Sequence, residues 1–168
     1  MWLHRRVWLV VPVVALWLAS VAQVRSAGAP GLKLFTVREA QQLRLSDAEW
    51  QSRIHQRGVP PAGGPRIVMQ NPPVRDTSDG HLIEAGTPAD FLIRFEATGA
   101  PVDMNSLKVE ARKGIFSKSL TATLRPYVRG TVLQAERVQI PQGRFLISVE
   151  IVDRNGAKTV ENYRLDIR

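Results

Sequence analysis

The feature that most constrains the fold is an alternation of apolar and polar side chains with a period of two residues. Successive side chains on a β-strand point to opposite faces of the sheet, so each such stretch predicts a strand with one buried and one wet face. Strands of this kind are typical of antiparallel sheets rather than of sheets covered by helices on both sides. The four clearest stretches are residues 91–96, 107–112, 145–151 and 163–167.

Weaker strand patterns and one strong turn signal complete this region. Strands are also predicted at 66–70, 81–84, 118–125 and 132–140. Asn155-Gly156 separates two of the strong strands and predicts a tight hairpin, because such turns need positive φ angles at their central residues. The pattern therefore predicts a sandwich of seven or eight short strands, glued by apolar side chains that include Phe91, Ile93, Val109, Ile147, Val149 and Leu165.

The N-terminus predicts export. Arg5 and Arg6 precede an apolar run over residues 7–19, and Ser20-Val21-Ala22 satisfies the small-x-small rule of signal peptidase. Residues 1–22 are therefore predicted to be a signal peptide, and the protein to be periplasmic or secreted. An uncleaved anchor is the competing interpretation, which the run's length opposes because a bilayer span needs about 20 apolar residues.

A short helical arm is predicted over residues 23–57. Thr36 with Glu39, and Ser46 with Glu49, fit two capping boxes ten residues apart, which indicates two short helices rather than one. Trp50 is the only tryptophan outside residues 1–22, and it is predicted to anchor the arm, since aromatic anchors carry much of the energy of an interface. The arm is expected to lie on the sandwich or to bind a partner.

The Pro/Gly-rich residues 58–65 are predicted to be a linker, and residues 66–168 the sandwich. Cysteine is absent from the chain, which excludes a disulfide framework, a thiolate zinc site and a cysteine nucleophile. The sandwich must then be held by its own apolar core.

The stretch IPQGRFLISVEIVDRNGAKTVENYRLDI (140–167) resembles the C-terminal pattern of bacterial immunoglobulin-like domains, including cadherin-like and fibronectin-type-III-like ones. That pattern is a turn ending in a glycine, an alternating strand, an aspartate, a second glycine turn and a final alternating strand. The resemblance implies an immunoglobulin-like antiparallel β-sandwich that serves as a non-catalytic scaffold for binding or spacing. Phe145 stands where many relatives have tyrosine, so the hydrogen bond of the tyrosine corner is not expected.

A basic stretch supplies candidate binding residues for an anionic partner. One-sided positive charge of this kind attracts lipopolysaccharide, acidic polysaccharide or an acidic protein surface, although charge runs usually only solvate a face. Nucleic acid is not expected, since no stacking aromatics interleave the basic residues. The candidates are Arg112, Lys113, Lys118, Arg125, Arg129, Arg137 and Arg144.

The sequence contains only weak patterns for a metal site or for catalysis, and no cofactor is predicted. Met69, His81 and Met104 offer soft ligands for copper, which makes a periplasmic copper carrier the alternative function. The turn at 153–156 offers fewer oxygens than calcium needs. Motifs of serine hydrolases are missing, although a serine–lysine dyad at Ser117, Lys118 and Ser119 is formally open. The sequence thus predicts a non-catalytic exported module that binds another envelope protein or an anionic glycan, and that meets the membrane only through an uncleaved signal segment.

Overall fold

A computed structural model describes residues 31–52 and 63–168, so the predicted signal peptide and most of the predicted linker lie outside the described residues. The N-terminal part contains helices α1 (Val37–Leu43) and α2 (Asp47–Ser52). Helix α3 (Thr121–Leu124) lies between strands. The strands are β1 (Arg66–Asn71), β2 (Val74–Thr77), β3 (Gly80–Ala85), β4 (Ala89–Glu96), β5 (Val102–Lys113), β6 (Phe116–Ser119), β7 (Val128–Arg129), β8 (Val132–Val138), β9 (Gly143–Asp153) and β10 (Lys158–Ile167).

The strands form two sheets that enclose one apolar core. One sheet has the order β1-β4-β8-β7 and the other the order β2-β3-β10-β9-β5-β6. Of the six predicted core side chains, Ile93, Val109, Val149 and Leu165 are buried, whereas Phe91 and Ile147 are half-buried at the margin of the same cluster. The four clearest predicted strands, at 91–96, 107–112, 145–151 and 163–167, and their buried faces are therefore confirmed.

The strand order is that of an immunoglobulin-like domain. Strands β1, β4, β8 and β7 take the places of A, B, E and D in one layer, and β10, β9 and β5 take those of G, F and C in the other. Strand β6 extends the second layer as a C′ strand does in variable-type domains. The predicted sandwich is confirmed, with short extra edge strands that raise the count to ten and one parallel pair, β3 with β10.

The strand prediction for residues 118–125 is wrong beyond Ser119. The chain turns there into α3 and a short 3₁₀ turn, Arg125–Tyr127. Leu120 and Leu124 are both buried, and this i, i+4 spacing suits one face of a helix. The Thr121 hydroxyl accepts a hydrogen bond from the Val109 amide at 2.9 Å, which fixes the helix beside β5.

The predicted hairpin at Asn155-Gly156 is present, and its aspartate serves the turn. Gly156 has a φ of +85°. One carboxylate oxygen of Asp153 accepts hydrogen bonds from the amides of Asn155 and Ala157, at 2.9 and 2.8 Å. The carboxylate therefore satisfies backbone donors of the turn, which explains these residues without calcium.

Candidate functional site

Both capping boxes predicted for the N-terminal segment are formed. The Thr36 amide donates to the Glu39 carboxylate at 2.8 Å, and the Glu39 amide donates back to the Thr36 hydroxyl at 3.3 Å. Ser46 and Glu49 make the same reciprocal pair at 2.9 and 3.3 Å. The two short helices are thus confirmed, and each begins where its box satisfies otherwise unpaired amides.

Within the described residues no helix has the length and apolarity to cross a membrane.

The segment that leads into α1 is part of the sandwich core. Leu34 and Phe35 are buried, and the Phe35 ring stacks on Phe145 with the centroids 5.2 Å apart. Lys33 forms a parallel bridge with Gln139, just beyond the end of β8. Sequence reasoning missed this contact. The sequence nevertheless contains a signal for it, a hydrophobic staple. In this motif the apolar residue before the helix cap, here Phe35, packs against the fourth residue of the helix, here Ala40.

Three of the seven predicted basic residues hold the N-terminal helices. Lys118 pairs with Glu39, Arg144 pairs with Asp47, and the Lys113 ammonium lies 3.3 Å from Glu49. Each pair joins a sandwich strand to a helix of the N-terminal segment. These three positive charges are therefore matched within the chain. We call the three ion pairs the clasp.

Hydrogen bonds at the clasp shift the pKa values of both glutamates. The hydrogen bond from Lys118 lowers the pKa of Glu39 to about 2, with help from the Thr36 backbone amide. The Ser46 backbone amide lowers the pKa of Glu49, with help from the Ser46 hydroxyl. Both helices thus favour the ionised form of the glutamate that caps them.

The stabilisation by Glu39 should depend on pH in the acidic range. Because folding depresses the pKa of Glu39, its contribution is fully present above about pH 4.5 and is lost as the pH falls through about 2. We expect the difference in thermal midpoint between wild type and Glu39→Gln to shrink from pH 5 to pH 2. Thermal unfolding followed by circular dichroism measures it. A difference that stays constant over this range would contradict the prediction.

The other four basic residues do not share one face. The Arg112 guanidinium lies 2.7 Å from Glu110, and Arg125 donates to the carbonyl oxygens of Met104 and Asn105 at 2.6 and 3.2 Å. Arg129 and Arg137 belong to the four-stranded sheet instead. The tertiary structure therefore distributes the basic stretch over several separate environments.

Trp50 covers a buried arginine on the outer face of the six-stranded sheet. Its ring centroid lies 4.1 Å from the guanidinium carbon of Arg164 and 5.3 Å from that of Arg144. Arg164 is only 9% exposed and lies 3.3 Å from Asp79. The indole thus shields this ion pair from water while it contacts two cations, an arrangement that is favourable in itself.

The structure separates the side chains of the copper alternative. His81 lies on β3 and Met104 on β5, with β10 and β9 between them. Three steps of about 4.8 Å place those strands roughly 14 Å apart, so the two side chains do not share a metal ion. His81 is instead 2.6 Å from Asp76. Over residues 31–52 and 63–168, no group of three His, Asp or Glu side chains is placed to hold a metal.

The serine–lysine alternative has no supporting geometry. Lys118 projects from the face of β6 opposite to Ser117 and Ser119, and its ammonium is paired with Glu39.

One polar pair that the sequence did not reveal lies at the margin of the core, where the Tyr163 hydroxyl donates to Glu161. Burial raises the pKa of both groups. The hydrogen bond satisfies both polar groups, so the pair has a structural explanation.

Two exposed large apolar side chains are adjacent at the tip of the β5–β6 hairpin. Ile115 is 95% exposed and Phe116 58%. Gly114, with a φ of +57°, makes the turn that presents them. Strand β6 is also the last strand of its sheet, so no strand among residues 31–52 and 63–168 pairs with the other side of its backbone. The sequence signal is KGIFSK, an apolar pair beside a glycine with lysines on both sides.

Comparison with known proteins adds little to this geometry. Neither the protein-family models nor the curated proteins contain a match. A solved structure of murine CRIg is similar at 14% identity with a TM-score of 0.33, over 61% of this chain and 98% of that one. Such a likeness is too low to support an argument, so the immunoglobulin-like assignment rests on the strand order described above.

Proposed function

We propose that the chain is a non-catalytic, exported binding module that holds an extended segment of another envelope protein along the free edge of β6. The observation that carries the proposal is the exposure of Ile115 and Phe116 at an unpaired sheet edge. Exposed edges recruit strands from partners, which gain main-chain hydrogen bonds and side-chain pockets together. The signal-peptide pattern of residues 1–22 supports export.

The register of the hairpin defines which backbone groups face the partner. The Leu120 amide donates to the Val109 carbonyl at 2.8 Å, so these two residues form a hydrogen-bonded pair. Such pairs alternate with non-bonded pairs along an antiparallel ladder. Ser117 and Ser119, opposite Arg112 and Glu110, therefore direct their amides and carbonyls away from β5.

The apolar tip provides the side-chain part of the interface. Covering an exposed isoleucine or phenylalanine contributes about 1.5–3 kcal/mol each. The clasp supports the tip, because Lys113 and Lys118 flank it and are held by the N-terminal helices. A partner would then meet a pre-organised edge, which reduces the entropic cost of binding.

The test is a proline at an outward-facing amide. Ser117→Pro removes a donor that faces the partner and leaves the β5–β6 ladder intact, because proline is tolerated on edge strands where its nitrogen faces solvent. A photo-crosslinking residue at position 115 should capture a partner in the native envelope, with yield reduced at least tenfold by Ser117→Pro and unchanged by Ser117→Ala.

A crosslinker at Gln134, on the outer face of the other sheet, is the positional control and should not capture the same partner. Purified Ser117→Pro should unfold within about 1 kcal/mol of wild type. Equal capture by the proline and alanine variants would rule out strand addition at β6.

A further inference from the structure

An open cleft of about 560 Å³ lies on the four-stranded sheet, away from the β6 edge. Its walls are the outer face of β8, the turn that leads into β7 and the start of the described N-terminal segment. Tyr127, Arg129, Gln134, Glu136 and Arg137 carry its polar groups. Two arginines, Arg129 and Arg137, therefore line a single concavity.

Arg137 adopts a backbone conformation that side chains disfavour. It is the one non-glycine residue with positive φ, +53°, in the described part of the chain. The Asp90 carboxylate accepts a hydrogen bond from its amide at 2.7 Å and holds this conformation. Glu136 and Arg137 together oppose Asp90 where the β4–β8 register shifts, which makes a β-bulge. Glycine is the residue that such a left-handed bulge position favours.

The bulge turns the Arg137 side chain out of the sandwich. Leu133 and Ala135 point into the core, so strict alternation would send residue 137 inward as well. Instead Arg137 is exposed and Val138 is buried. The Arg137 guanidinium makes no hydrogen bond or ion pair with any other residue that the structure describes. The backbone of Arg137 is thus held in a disfavoured conformation, and its guanidinium donors are used by no other residue that the structure describes.

Arg129 provides a second, immobilised cation. One nitrogen of its guanidinium donates to the carbonyl oxygens of Pro126 and Val128, at 3.0 and 3.2 Å. Arg129 pairs with Val132, five residues before Arg137 on β8. At about 3.4 Å per residue, the two arginines start roughly 17 Å apart along the strand. They therefore stand towards opposite ends of the cleft.

The middle of the cleft has different chemistry. The Gln134 amide donates to the Glu136 carboxylate at 3.0 Å, so an amide–carboxylate pair lies between the two cations. A carboxylate there accepts hydrogen bonds from hydroxyl groups and repels other acids. Tyr127 also lines the cleft and adds an amphipathic ring. The adjacent edge strand β7 has only two residues, too few to add a peptide strand.

We propose that this cleft binds a linear acidic polysaccharide whose carboxylates meet Arg129 and Arg137 and whose hydroxyl groups meet Gln134 and Glu136. Guanidinium groups bind carboxylates in a bidentate geometry. An extended chain reaches both arginines, whereas one small anion reaches a single end. Sugar hydroxyl groups donate to the central Glu136 carboxylate, whereas the carboxylates of an acidic peptide are repelled by it.

The test measures binding of oligogalacturonate to the purified chain by titration calorimetry at low salt. Wild type should bind, with affinity that falls as salt rises. Arg129→Gln and Arg137→Gln should each weaken binding at least tenfold. Arg38→Gln, which removes an exposed arginine from α1, is the matched control and should bind as wild type does. Neutral dextran, heparin oligosaccharides and poly-glutamate serve as comparison ligands.

Arg137→Gly separates binding from folding. If the side chain is present for a ligand, glycine should keep or raise the thermal midpoint while oligogalacturonate binding still falls at least tenfold. Oligogalacturonate should bind more tightly than heparin, and the reverse would overturn the assignment of carboxylates to the two arginines. The proposal is overturned if wild type binds neither acidic glycan, if dextran or poly-glutamate binds equally well, or if the arginine variants match Arg38→Gln. None of these results depends on β6.

Discussion

Replacing Phe35 by alanine is expected to lower the free energy of unfolding by about 3–5 kcal/mol, the usual cost of removing a buried phenylalanine ring. Phe35 is 4% exposed, belongs to the core cluster and stacks on Phe145. If the N-terminal segment were only a loosely attached arm, Phe35→Ala would leave the free energy of unfolding almost unchanged. Chemical denaturation followed by circular dichroism measures the change.

The matched control for Phe35→Ala is Val37→Ala, two residues away. Val37 is 70% exposed, so its truncation should change stability by no more than about 0.5 kcal/mol. Similar small losses for both variants would mean that the segment does not complete the core. A large loss of stability in Phe35→Ala alone would mean that the segment before α1 belongs to the folded domain. Deleting that segment would then remove part of the core.

Removing the arginine beneath Trp50 should be similarly costly. Arg164→Ala deletes the buried partner of Asp79 and the cation under the indole, and breaking a buried pair costs about 3–5 kcal/mol. We expect the low end of this range, about 3 kcal/mol, because the Asp79 carboxylate keeps some contact with water. The Trp50 emission should shift to the red as the indole loses its packing.

A difference spectrum against Trp50→Phe isolates that emission, since the other tryptophans lie at positions 2, 8 and 17. Arg168→Ala serves as the control, because Arg168 also pairs with an acid, Glu84, but is well exposed. Exposed pairs contribute about 0–1 kcal/mol. Equal stability and emission for the two alanine variants would contradict a structural role for the Trp50–Arg164 contact.

These contacts bear on the proposed function through the β5–β6 hairpin. Lys113 and Lys118 reach from this hairpin to Glu49 and Glu39, so the N-terminal helices brace the strand whose free edge is proposed to bind. Variants that loosen the helices should therefore weaken partner binding without touching the edge. The clasp also shows that three charges of the basic stretch are matched within the chain.

Local patterns in the sequence determined the elements of this protein. The alternation at 91–96 or 145–151 decides which side chains face the core, because a strand has a fixed period. The boxes Thr36–Glu39 and Ser46–Glu49 decide where two helices begin, because each satisfies amides within three residues of itself. Such information needs no distant contact, and these predictions are confirmed.

Only the tertiary structure decided which elements meet. Lys118 and Glu39 are 79 residues apart in sequence, and no local pattern indicates that one will hold the other. The burial of Phe35 depends on a space that β9 and the end of β8 create together. Residues 120–124 suit a strand or a helix equally by local pattern, and packing of Leu120 and Leu124 into the core selects the helix. Ion pairs and core contacts depend on distances between elements, which exist only once the two sheets have closed on each other.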